Sequence, residues 1–428
     1  MSGGPTQEPV SRAYAGYVLG VLFVVYVFNF VDRYILSVLL EPIKQDLGVS
    51  DTWMGFLTGT AFALFYTTAG IPLARWSDRG VRRSIVAMGL ALWSALTAAS
   101  GLVTSFWQLA LARIGVGVGE ATASPASHSM ISDLFPSERR GRALGIYGMG
   151  ANIGILAGAW LGGWLNDLYG WRMAFVLVGA PGLALALLVR VTLREPPRGH
   201  ADGVRVDAAP PRLEEVARHL WSRPCFRHLA LAAGLYAFAG YAFILWGAPF
   251  LIRIHGMSTT EVGFWFGLAA GLGGALGAYL GGDLSDRLAR RDPRWRMRIP
   301  ALGALASIPF AGGFLFARDP GPALAAFFGT LVFAAFYISP TYAVTQGLAT
   351  PRMRALASAL ILFALNLIGL GLGPQTVGIL NDLLRPAWGD DAIRVSLACV
   401  WLVNLWAIAH SLRAARTLRD DLASVAPA

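Results

Sequence analysis

Four ionisable residues stand in stretches that are otherwise apolar. Asp32 and Arg33 lie in FNFVDRYIL (residues 28–36), and Arg113 and Glu120 in LALARIGVGVGEATASPASHSMISDLFP (residues 109–136). A charge in hydrocarbon is costly unless it meets a partner or lines a wet cavity. An acid that pairs with a guanidinium when ionised and releases it when protonated is the device a proton-coupled carrier needs, and Asp32 with Arg113 has that chemistry. The alternative is a static buried ion pair that fixes the register of two helices. Arg113 and Glu120 are seven residues apart, two turns along one helix face.

The elements that must hold these groups are membrane spans. Hydrophobic residues make up 55% of the 428-residue chain and charged residues 14%, against roughly 25% charged in an average soluble protein. Apolar stretches long enough to cross a ~30 Å core recur throughout. They run near 14–40, 53–74, 84–105, 107–133, 142–165, 172–191, 227–252, 262–284, 299–317, 322–347, 355–380 and 392–412, which predicts twelve transmembrane helices in an all-α integral membrane fold.

The formal charge of +10 is concentrated in alternate connections, RWSDRGVRR (75–83), SERRGR (137–142), residues 190–227, SDRLARRDPRWRMR (285–298), PRMR (351–354) and the C-terminal tail. By the positive-inside rule these loops and both termini face the cytoplasm, with the cell inner membrane as the expected location. That distribution excludes a nucleic-acid binder. Cys225 and Cys399 supply no disulfide or metal framework. The first span is too long for a cleaved signal peptide and reads as a retained anchor. The six histidines form no catalytic constellation, no GxxxxGK[ST] motif is present, and the one lysine, Lys44, falls on the outer side. Neither an enzyme nor an ATP-driven pump fits, and no cofactor is expected.

Depth decides which charges meet. Asp32 lies about eight residues, ~12 Å, before the outer end of span one, and Arg113 about six residues, ~9 Å, past the outer start of span four. They share a level, with Glu120 two turns deeper. Asp32 and Arg33 differ by about 100° around their helix. With Asp32 in the cavity, Arg33 is expected to point aside, toward another helix or the outer interface, and no basic partner for Glu120 is evident.

The chain also repeats itself. GIPLARWSDRGVRR (70–83) aligns with AYLGGDLSDRLARR (278–291), and VSDTWMGF (49–56) with MSTTEVGF (257–264), both at an offset of 208 residues. GAWLGGWLNDL (158–168) aligns with GPQTVGILNDL (373–383) at 215. Such duplication marks a secondary transporter that works by alternating access, rocking two bundles about a midplane site. The expected units are 1–191, a Pro- and Arg-rich cytoplasmic linker at 192–226, and 227–428.

The paired SDRGVRR and SDRLARR turns resemble the signature loop of the major facilitator superfamily, with Gly80 and Val81 exchanged relative to the usual order and Ala74 where glycine is common. The resemblance implies a fold of two pseudo-symmetric six-helix bundles. It also implies cytoplasmic gating by Asp78, Arg79, Arg82, Arg83, Asp286 and Arg287, with Asp78 pairing across to the opposite half. GILAGAWLGG (154–163) resembles the superfamily's fifth-helix motif, so Gly154, Gly158, Gly162 and Gly163 are expected to pack helices at the seam between the halves. Asn29-x-x-Asp32-Arg33 together with the span-four stretch is similar to the Spinster family. That likeness implies a proton-coupled carrier of an amphipathic, lipid-like or lysolipid substrate, with Asp32, Arg113 and Glu120 in the coupling roles. Multidrug efflux and organic-anion uptake are the competing readings.

Other polar or amphipathic residues on helices are candidates for substrate contact beside Arg113 and Glu120. These are Asn29, Tyr147, Asn152, Tyr241, Tyr337, Gln346 and Asn366, with His128 more plausibly a satisfied helix histidine than a relay. Gly240 occupies the place matching Asp32, so apolar contact in the second half is expected near Phe238, Tyr241, Trp246 and Phe336. The partners implied are an amphipathic small molecule or lipid, protons and the surrounding bilayer lipids, with the protein acting as a monomer.

Overall fold

The computed structural model describes residues 11–197 and 212–425. Its elements are α1 (Arg12–Leu47), α2 (Asp51–Gly55), a π-helical turn (Phe56–Ala61), α3 (Phe62–Arg79), α4 (Arg82–Ser100), α5 (Phe106–Glu120), α6 (Ala123–Leu134), α7 (Ser137–Thr192), α8 (Leu213–Trp221) and α9 (Pro224–His255). There follow α10 (Thr259–Ala289), α11 (Trp295–Phe316), α12 (Pro320–Ala334), α13 (Ile338–Gly347), α14 (Arg354–Ala364), a second π-helical turn (Leu365–Leu372), α15 (Gly373–Trp388) and α16 (Ala392–Ala423). The described residues contain no strand. Eight continuous helical stretches among them are long and apolar enough to cross a membrane. Some hold more than one predicted span. A straight helix over the 56 residues of α7 would measure about 84 Å, far beyond one bilayer core. Gly170, at φ 79°, breaks it between the predicted fifth and sixth spans, a backbone conformation that glycine adopts without steric penalty.

Local sequence explains the remaining ends. Ser11 accepts a hydrogen bond from the Tyr14 N–H to cap α1, and Gly48 closes it at φ 63°. Gly256 ends α9 the same way, and Ser258 with Glu261 forms a capping box on α10.

Close backbone approach governs how the helices pack. Gly154, Gly158 and Gly162 of α7 face Phe30, Val31 and Ile35 of α1, so this stripe seals two helices of the same half rather than the seam between halves. Only Gly163 of the predicted set lies at that seam: a β-carbon there would sit 1.9 Å from the Thr259 carbonyl oxygen of α10. The other seam joins the first π-helical turn to the second, with Thr60 Oγ1 donating to the Gly371 carbonyl at 2.8 Å.

Bonds between the halves gather at the end opposite the basic loops. There Arg253 donates to Glu41 at 2.6 Å and to both oxygens of Asp51 at 2.6 and 2.8 Å, and Lys44 adds a contact to Asp51 at 2.6 Å. Toward the basic-loop end, β-carbons at Gly141, Gly145 and Gly148 of α7 and at Gly274 of α10 would meet nothing within 4 Å.

Burial alone would raise the Asp51 carboxyl, but the hydrogen bonds and charges of Arg253 and Lys44 outweigh it and hold the group below the ordinary carboxylate value. A carboxyl lowered in this way stabilises the contact above its free value of about 4 and loses that stabilisation only as pH falls through the lowered value. Distances between labels flanking Asp51 and Arg253 should therefore stay constant between about pH 8 and pH 5. Separation at mildly acidic pH would contradict this.

Candidate functional site

Asp32 of α1 and Arg113 of α5 meet at the shared level predicted for them. Arg113 Nη1 donates to Asp32 Oδ1 at 2.6 Å, and Nη2 donates to the Asp32 carbonyl at 3.1 Å. The second carboxylate oxygen, Oδ2, accepts from Thr97 Oγ1 of α4. Asp32 is 3% exposed and Arg113 2%, so the pair is dry. With Oδ1 and Oδ2 both engaged, the geometry is that of a fixed, fully solvated-by-protein carboxylate.

Arg33 and Glu120 overturn two expectations. Arg33 does not point aside, and Glu120 does have a basic partner: Arg33 Nε donates to Glu120 Oε2 at 2.5 Å. Comparing backbone depths concealed this pair, because two long side chains together close a gap of about two helical turns. The Arg33 guanidinium carbon also lies over three rings, Phe30 at 5.2 Å, Phe62 at 5.1 Å and Tyr66 at 4.6 Å. Glu120 is fully buried, and its other oxygen, Oε1, has no hydrogen-bond partner. It is the last residue of α5, where the helix breaks before α6. The glycines before it admit neighbouring helices, Gly117 facing Phe62 and Gly119 facing Trp93.

A cavity of about 70 Å³ lies between the halves, lined by Arg33, Arg113, Phe30, Tyr34, Phe62 and Tyr241 among others. Of the predicted contact residues, Tyr241 and Arg113 line it. Tyr147 is fully buried, stacked on Tyr26 at 4.3 Å and edge-on to His128 at 5.2 Å. Asn29 is 1% exposed with both amide atoms unpartnered. Asn152 faces Gly271 through its carbonyl at the α7–α10 seam, Tyr337 packs on Tyr236, Asn366 is buried in the second π-helical turn, and Gln346 donates to Ser358. Trp246 and Phe336 are core residues instead of cavity walls: the Trp246 indole donates to the Pro374 carbonyl at 2.9 Å, and Phe336 packs between Gly281 and Gly303. Phe238 packs against Gly373. The wall residues missed were the aromatic neighbours of Arg33: Phe30, three residues before it on α1, and Phe62 and Tyr66, four residues apart on α3.

Arg82 and Arg83, expected as gating residues, clasp the segment after α7. Arg82 is fully buried between Asp133 and Glu195, with Nη2 donating to the Pro196 carbonyl at 2.5 Å, and the Arg83 N–H donates to Glu195 at 2.9 Å. Arg79 is exposed. Asp286 faces Arg296 at 3.4 Å and Arg287 pairs with Asp283 at 2.9 Å, all within the second half of the chain. The Asp78 side chain lies outside the described residues.

The family model for the Major Facilitator Superfamily matches residues 22–374. The chain belongs to the major facilitator superfamily. It is a multi-pass membrane transporter and not an enzyme. Its relatives include an MFS-type efflux pump of Mycolicibacterium smegmatis, 38% identical over 96% of this chain and 94% of that protein. Protein spinster homolog 1 of Rattus norvegicus is 28% identical over 96% of this chain and 81% of that one. The superfamily fold is matched by the crystal structure of a bacterial homolog of the human lysosomal transporter Spinster, inward-facing and unoccupied. It has a TM-score of 0.87 and 31% identity, covering 96% of this chain and 99% of that chain. The expected superfamily membership and Spinster likeness are both borne out.

For this superfamily member, the dry Asp32–Arg113 pair predicts that Arg113→Ala costs about 3–5 kcal/mol, because it strands a buried carboxylate. Thr97→Val leaves the ion pair and should cost about 1–3 kcal/mol. Thermal melts in detergent check both; equal, negligible shifts would mean that water reaches Asp32.

Proposed function

We propose that the protein is a proton-coupled transporter of an anionic amphipath, with Glu120 as the proton site and Asp32–Arg113 as a fixed pair that sets the register of α1 and α5. The observation that carries this reading is the contrast between the two acids. Asp32 has both carboxylate oxygens engaged, whereas Glu120 shares one oxygen with Arg33 and has the other free. A proton on Glu120 neutralises the carboxylate that competes for Arg33. The guanidinium keeps its aromatic neighbours and becomes available to an anionic group entering the cavity, and the ring and aliphatic walls suit an apolar tail. Proton and anion binding are then positively linked, and each raises the affinity of the other by the same factor. The likeness to Spinster proteins supports a lipid-like substrate. The basic loops support an inner-membrane protein with those loops in the cytoplasm.

A second reading, multidrug efflux, is favoured by the relative described as an efflux pump, and it is separable from the first where the drug is a cation. The two differ in sign. A cation would compete with the proton at Glu120, so its binding would weaken as pH falls. On the proposed reading, a lysophospholipid bearing a net negative charge binds the purified protein more tightly at acidic pH, and Glu120→Gln abolishes both that dependence and pH-driven flux while the protein still melts cooperatively. Retention of pH-driven flux in Glu120→Gln would remove Glu120 from the proton path.

A further inference from the structure

The repeated sequences meet each other across the seams. Just before the Gly170 break in α7, Asp167 accepts from the Thr260 N–H at 2.8 Å and from the Thr259 and Thr260 hydroxyls at 2.6 Å each, so it caps the start of α10. At the matching place in α15, Asp382 accepts from the Asp51 and Thr52 N–H groups at 3.1 and 2.8 Å and caps the start of α2. The preceding asparagines repeat the relation: Asn166 donates to Thr259 Oγ1 at 3.0 Å, and Asn381 to Asp51 Oδ2 at 2.9 Å. The backbone contacts beneath are also duplicated. A β-carbon at Gly163 would lie 1.9 Å from the Thr259 carbonyl oxygen, and one at Gly378 would lie 2.3 Å from that of Asp51. Gly163 and Gly378, Asn166 and Asn381, and Asp167 and Asp382 are all related by 215 residues, and Thr259 and Asp51 by 208.

Among the residues that make these bonds, the two copies differ at one position. Where one has the neutral Thr259, the other has Asp51, and that carboxylate draws in Arg253 and Lys44, with Glu41 on the far side of Arg253. Among the described residues no ion pair joins Asp167; its bonds come from hydroxyls and one backbone N–H. Charged hydrogen bonds to a buried bidentate guanidinium outlast those between an exposed carboxylate and hydroxyls.

We propose that the two Asn-Asp pairs are duplicated copies of one latch that shuts the end of the molecule opposite the basic loops, and that the α7–α10 copy parts first while the ionic α15–α2 copy serves as the pivot. Opening is then a hinge motion about one seam rather than an even separation of both. This inference is independent of which group carries the proton.

Spin-label distances at each seam test it, in full-length protein with Cys225 and Cys399 replaced. Labels at the exposed positions Leu168 and Phe264 report the α7–α10 side, and labels at Leu383 and Trp107 report the α15 side. Asp167→Ala is expected to raise the separated population at Leu168–Phe264 several-fold and to leave Leu383–Trp107 unchanged. Asp382→Ala, with Arg253 still on Asp51, should produce a smaller rise on its own side. Gly163→Ala, a wedge that removes no hydrogen bond, should reproduce the Asp167→Ala result and carries the test if that variant does not fold. Distances at Leu168–Phe264 that match the parent in both variants, or a larger opening from Asp382→Ala than from Asp167→Ala, would overturn the proposal.

Discussion

Burying charge in an apolar interior is the constraint on which this structure turns. Asp32, Arg33, Arg113 and Glu120 lie within spans of the N-terminal half, and each is neutralised by a partner on another helix: Asp32 by Arg113 and Glu120 by Arg33. The pairs differ in what surrounds them. Asp32 is enclosed by donors from α4 and α5, one on each carboxylate oxygen. Glu120 has one partner, and that partner has somewhere else to go, because three aromatic rings already flank it. A guanidinium that keeps its ring contacts can exchange one anion for another, whereas an over-determined pair holds the scaffold in register.

The same division appears between the two ends of the molecule. Near the basic loops, Arg82 is enclosed by Asp133, Glu195 and the Pro196 carbonyl, which fastens the chain leaving α7 to the start of α4. At the opposite end, the acidic groups Asp51, Asp167 and Asp382 reach across to the other half. Bonds within a half let it move as a body, and bonds between halves set where the two bodies touch.

Much of this could be read from the residues alone. Spans followed from hydropathy, the division into two halves from the repeats, and the Asp32–Arg113 contact from helical rise. Depth along the bilayer is nearly one-dimensional, and sequence encodes it well. The Arg33–Glu120 pair was illegible for the same reason: it joins backbone positions at different depths through side-chain length, and angular placement about α1 was assigned from one assumed cavity direction. The glycine stripe of α7 misled in a related way. A run of small residues states that a backbone comes near but not whose, and here Gly154, Gly158 and Gly162 receive α1. Trp246 and Phe336 were expected at the cavity because aromatic rings suit apolar ligands, yet rings fill cores for the same physical reason.

The seams at Gly163 and Gly378 bring main chain against main chain, with no side chain between. A barrier of that kind has a permeability consequence. Where side chains plug a pathway, rotamer changes on the nanosecond scale admit transient water and ions; a plug of backbone yields only when whole helices move, on microseconds or longer. On the proposed latch, the end opposite the basic loops is sealed against passive leak by the same slow motion that would open it.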